Sequence, residues 1–144
     1  MKRTAAGALG GLLAGTVLAV AAMTYSMLSG KSFIAPALWL AGLIFEQASG
    51  NELALGSAAA LHLTISAGLG MLFVHVHDLL VPSTSGALAG VVYGALIYVI
   101  DRLVLEPALS VTAPLPLAAG LFVHLLYGGM LGALTSSSEA ESSR

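Results

Sequence analysis

Residues 4–30 read TAAGALGGLLAGTVLAVAAMTYSMLSG and contain no Asp, Glu, Lys or Arg. A helix needs about 20 apolar residues to cross the hydrocarbon of a bilayer, and this stretch is longer than that. Lipid offers a backbone no hydrogen-bond partners, so a spanning segment must satisfy its own N–H and C=O groups, as a helix does. Three further stretches, residues 53–77, 79–100 and 107–138, also lack Asp, Glu, Lys and Arg. Together they predict four membrane spans, at residues 5–28, 52–73, 84–105 and 115–134. These runs are uniformly apolar and lack the alternation of barrel strands. The expected fold class is all-α, an integral-membrane four-helix bundle forming a single transmembrane domain over residues 1–134.

Composition agrees with that reading. The chain of 144 residues is 58% hydrophobic and 8% charged, with 5 Lys+Arg against 7 Asp+Glu. Soluble domains carry roughly a quarter charged residues, so an ordinary soluble domain is excluded. The net charge of −2 and the lack of a basic cluster exclude nucleic acid as a partner, because that binding depends on Lys and Arg neutralising phosphates. Zero cysteines remove disulfides, thiolate metal sites, iron–sulfur clusters and cysteine nucleophiles. The bilayer itself is the first partner; other membrane proteins or self-association are the others expected.

Between the first two spans lies a shorter apolar stretch, residues 33–45, with Pro36 near its start and the only Trp, Trp39. It is too short to cross and is expected as an interfacial or re-entrant helix, with the indole at headgroup level. Residues 135–144 are rich in Ser and Glu and are expected as a disordered polar tail. Lys2 and Arg3 before an apolar run also fit a cleavable secretory signal, but the repeat described next favours a retained first helix.

Gly7, Gly11 and Gly15 in the first span recur as Gly86, Gly90 and Gly94 in the third. His62, Ser66 and Gly70 in the second recur at the same spacing as His124, Gly128 and Gly132 in the fourth. The chain therefore reads as one two-helix unit used twice, related by a pseudo-twofold axis along the membrane normal. Residues four apart share a helix face, and small side chains there let backbones approach closely, which is how helices associate in lipid. These glycines and Ser66 are expected to be helix-packing positions.

His62 and His124 lie near the middle of their spans, where ionisable groups usually face the bundle interior. An imidazole there can bond a carbonyl across helices, ligate haem iron or pass a proton. An interhelical hydrogen bond is the expectation for each, and the two rings are expected to approach one another across the axis. Haem b held by both histidines is the cofactor alternative, the primary expectation being no cofactor and no metal. Asp101, Arg102 and Glu106 are expected as an interfacial anchor, with Arg102 and Glu106 spaced for a surface ion pair. No phosphate loop, dinucleotide fingerprint, HExxH, GxSxG or close carboxylate pair is present, so no enzyme activity is expected.

The glycine-faced first helix, the histidine-centred second, the Gly-rich third and the closing His124-Leu-Leu-Tyr-Gly-Gly-Met-Leu-Gly132 resemble the small uncharacterised bacterial inner-membrane proteins of the YagU-like type. That resemblance implies a multi-pass inner-membrane protein and carries over no catalytic residue. The functional expectation is a non-catalytic accessory or assembly subunit of a membrane complex; the alternatives are a haem b electron carrier and a small channel or transporter. The Lys/Arg distribution predicts both termini in the cytoplasm.

Overall fold

The computed structural model describes residues 2–45, 52–80, 83–109 and 114–142, with side chains described as far as residue 136. Among the described residues there is no strand. The order is α1 (Lys2–Leu28), α2 (Ala35–Gly42), α3 (Glu52–Leu80), α4 (Gly86–Ile100), a π-helical turn (Asp101–Leu105), α5 (Glu106–Leu109) and α6 (Leu117–Ser142). Four helices are long and apolar enough to cross a membrane: Lys2–Leu28, Glu52–Leu80, Gly86–Leu109 and Leu117–Ser136. The protein is an all-α, multi-pass membrane protein.

Local sequence explains where these helices begin, bend and end. Gly30 adopts φ +75, a left-handed conformation that favours glycine, and the chain turns there as Lys31 N–H bonds back to Ser26 O at 3.0 Å. Pro36 opens α2, where its missing N–H costs nothing. Ser85 caps α4, its hydroxyl accepting from Leu88 N–H at 3.4 Å. The π turn, where Glu106 N–H bonds Asp101 O, lies immediately before Pro107, which has no N–H to continue the ladder.

Two helical hairpins make up the bundle. In the first, α1 lies antiparallel to α3, and in the second α4 lies against α6. The glycine rows form both seams. A Cβ at Gly7 would stand 2.6 Å from Gly70 O, one at Gly11 would meet Ser66 O, and one at Gly15 would meet the Ser66 side chain. In the second hairpin, Gly86, Gly90 and Gly94 face the carbonyls of Gly132, Gly128 and His124 in the same order. Gly7, Gly11, Gly70, Gly86, Gly90, Gly94, Gly128 and Gly132 thus face backbone atoms of the partner helix, and Gly15 faces the Ser66 side chain, each row within its own hairpin.

The relation between the hairpins departs from the expected twofold. α1 packs along α6, whereas their counterparts α4 and α3 barely touch. The α1–α6 contact is built on Gly10, which faces Leu131 and Thr135 and whose counterpart in α4 is Ala89. Ala14, Phe73, Val74, Tyr127 and Leu131 form the shared core. Two tyrosines complete the join: Tyr127 donates to Ser66 O at 2.9 Å and Tyr93 to Leu69 O at 2.9 Å.

At the polar end the expectation of a disordered tail from residue 135 gives way to helix through Ser142. Thr135 is buried, and the hydroxyls of Thr135 and Ser136 bond back to Leu131 O and Gly132 O at 2.9 and 2.8 Å. Such back-bonding lets short polar side chains continue a helix. Residues 143 and 144 lie outside the described residues. α2 is not an isolated surface helix: its Ala41 packs with Ala54 and Ala58 at the start of α3.

Candidate functional site

His62 and His124 occupy equivalent places in the two seams, but their partners differ. His62 Nε2 lies 2.8 Å from Gly15 O on the facing helix, an interhelical hydrogen bond of the expected kind. His124 Nδ1 lies 2.7 Å from Gly120 O on its own helix, and its Nε2 lies 3.0 Å from Asp101 Oδ2. Each ring is thus partnered inside its own hairpin. The expected meeting of His62 with His124 does not occur, because each histidine faces the helix across its own seam.

The same geometry tests a haem bridged by the two histidines. Both Nε2 atoms are engaged with oxygen partners. The small residues expected to clear room for a porphyrin instead admit the opposing backbone. The residues as arranged do not fit that group. Among the described residues, no group of three or more His, Cys, Asp or Glu is placed to hold a metal ion.

Around His124 the polar groups form one cluster. Arg102 pairs with Glu106, Nη1 to Oε1 at 2.8 Å, and its Nη2 donates to Leu115 O at 2.7 Å. The two side chains are only 14% and 15% exposed, so this is a sheltered pair and not the surface pair the spacing suggested. Tyr98 donates to Leu117 O at 2.7 Å, and its ring lies 5.4 Å from the His124 ring and 5.5 Å from the Arg102 guanidinium. Gly120 makes room for that ring, since a Cβ there would stand 2.9 Å from Tyr98 Cε2. Tyr98 and Gly120 are site residues that sequence reasoning did not assign, and Asp101, expected as an interfacial anchor, is instead the partner of His124. Their signal was a charge pair in one half of a repeat whose other half is apolar. In the register that equates Gly94 with Gly15, Tyr98, Asp101 and Arg102 correspond to Ala19, Ala22 and Met23.

Donor and acceptor roles fix the chemistry of the histidine. A carbonyl only accepts, so Nδ1 carries a proton donated to Gly120 O. Nε2 and a carboxylate oxygen 3.0 Å apart are both acceptors unless a proton lies between them. The Asp101–His124 pair therefore needs one shared proton to hold this geometry.

At the end of the bundle that carries the start of α1 and the end of α3, a second polar group joins helix ends. Arg3 forms a two-point ion pair with Asp78, His77 Nε2 donates to Thr84 O at 3.1 Å, and His75 Nδ1 donates to Met71 O at 2.7 Å. The two histidines thus bond different carbonyls, while His77 Nδ1 also lies 3.6 Å from Asp78 Oδ1.

A family of unknown function, DUF6789, matches residues 1–144. The chain belongs to that family. No curated protein and no solved structure matches it. The DUF6789 match covers both hairpins, and so includes both histidines and the cluster around Asp101.

Proposed function

We propose that the protein is a non-catalytic accessory or assembly subunit of a larger membrane complex, acting by lateral contact of its helices. One observation carries this reading. Only 11% of the apolar stretch of the third span, Gly86–Leu109, is buried within the chain, against 28–33% for the other three. Its glycine face is used against α6, which leaves Leu88, Val92, Leu96, Val99 and Leu103 exposed along the outside. Such a span is held mainly by one neighbour, with Tyr93 reaching Leu69 O on α3, and its outer face is free to contact another membrane helix. Placement in an inner membrane with both termini cytoplasmic belongs to the same proposal, supported by the resemblance to YagU-like proteins and the weak Lys/Arg bias.

The test is a photo-crosslinking residue at Leu96, with one at Leu72 on α3 for comparison. Both side chains are exposed, at 56% and 53%. The proposal expects a discrete protein adduct from position 96 and lipid adducts alone from position 72. Lipid adducts alone at both positions would overturn it.

A further inference from the structure

We propose that Asp101 and His124 form a reversible proton-binding site that acts as a proton-controlled latch between the third and fourth spans. This goes beyond the accessory role and does not depend on it. Three observations support it. The pair needs one proton to exist as a hydrogen bond, as the partners of Nδ1 and Nε2 require. Asp101 is the better exposed partner, at 36% against 19% for His124, so the carboxylate is the more accessible half of the pair. The carboxylate is also not demanded by the scaffold, because the equivalent histidine, His62, is satisfied by the Gly15 carbonyl, and the residue matching Asp101 is Ala22.

Ionisable groups within membrane spans face the bundle and commonly belong to proton or ion pathways, and π turns recur at functional sites. Asp101 opens such a turn. The surrounding charges leave the pair free to change its own. Arg102 and Glu106 neutralise each other, and the Tyr98 hydroxyl is donated to Leu117 O. From the first hairpin Lys31 reaches the same end, its Nζ 3.4 Å from Pro114 O, next to the Leu115 carbonyl that holds Arg102.

Loading transfers one proton from hydronium to Nε2, breaking an O–H bond and forming an N–H bond directed at Oδ2. The pair passes from a neutral imidazole beside a carboxylate, charge −1, to an imidazolium–carboxylate pair of charge 0. Release returns the proton to water and leaves two lone pairs opposed, so the contact between the π turn and α6 opens.

The experiment is 15N NMR of histidine-labelled protein in lipid vesicles across a pH series, with signals assigned by His62→Gln, His124→Gln, His75→Gln and His77→Gln. The expected result is that His124 carries protons on both nitrogens at the acid end and on Nδ1 alone at the alkaline end, reversibly. Asp101→Asn should abolish or displace that transition while His62 keeps its signal, which also reports that the variant is folded. Should Asp101→Asn fail to fold, the wild-type series still decides. A His124 ring that holds one protonation state wherever the His62 signal is native would overturn the proposal, as would an unchanged transition in Asp101→Asn.

Discussion

Nε2 of His124 lies 3.0 Å from Oδ2 of Asp101, bringing together two residues on adjacent spans. Its counterpart, His62, bonds a glycine carbonyl. Among the described residues, one scaffold, used twice, thus gives its seam histidine a carboxylate partner in only one of its copies.

That relationship predicts an energetic coupling. In a double-mutant cycle on Asp101→Asn and His124→Gln, the coupling should exceed about 1 kcal/mol, the upper range for interhelical hydrogen bonds in lipid. The cycle on Asp101→Asn and His62→Gln should be additive within about 0.3–0.5 kcal/mol, since those residues share no partner. Denaturation in mixed micelles measures both. Equal coupling in the two cycles would remove the distinction between the histidines.

The tyrosine hydroxyls predict how the hairpins are joined. Tyr93→Phe and Tyr127→Phe each remove a bond from the second hairpin to an α3 carbonyl, and each should cost about 0.5–1.5 kcal/mol. Tyr25→Phe, at a 37% exposed position, should stay within about 0.5 kcal/mol of wild type. Thermal melts of the three variants decide. A null result for both Tyr93→Phe and Tyr127→Phe would show that these bonds do not hold the pair of hairpins together.

Much of this fold could be read from the chain because its determinants repeat along single helices. An uncharged run long enough to span, and glycines four residues apart on one face, are local signals, and the pairing of Gly11 with Ser66 follows once a hairpin is assumed. What could not be read were relations across the bundle. Equivalent histidines suggested a shared axis, yet the direction in which each ring points depends on the neighbour across its seam. Asp101 and Arg102 looked like a boundary because charges usually mark the end of a span. The π turn and Pro107 instead carry the helix on to Leu109, which shelters Arg102 with Glu106 and places Asp101 against His124. Thr135 and Ser136 looked like loop residues, but back-bonding to their own helix is invisible in composition.

Sidedness is tested with single cysteines, which the native sequence makes simple by having none. With both termini cytoplasmic, Ser83→Cys and Ser137→Cys should resist a membrane-impermeant thiol reagent in intact cells and react after disruption. Ser32→Cys, in the turn between α1 and α2, should react in intact cells. The reverse pattern would invert the proposed orientation, and a mixed pattern would contradict the four-span count.

The account rests on glycine rows that bring backbones together inside each hairpin, and four leucine substitutions test it most directly. A Cβ at Gly11 would meet the Ser66 carbonyl and one at Gly90 the Gly128 carbonyl, whereas Gly56 and Gly68 have nothing within 4 Å. Gly11→Leu and Gly90→Leu should therefore lose at least about 1–3 kcal/mol, the range for overpacking a fitted interior, and lower Tm accordingly. Gly56→Leu and Gly68→Leu should melt at or above the wild-type temperature, because leucine on an open helical face meets no obstruction and favours the helix. Equal melting temperatures for all four variants would contradict the two-hairpin architecture.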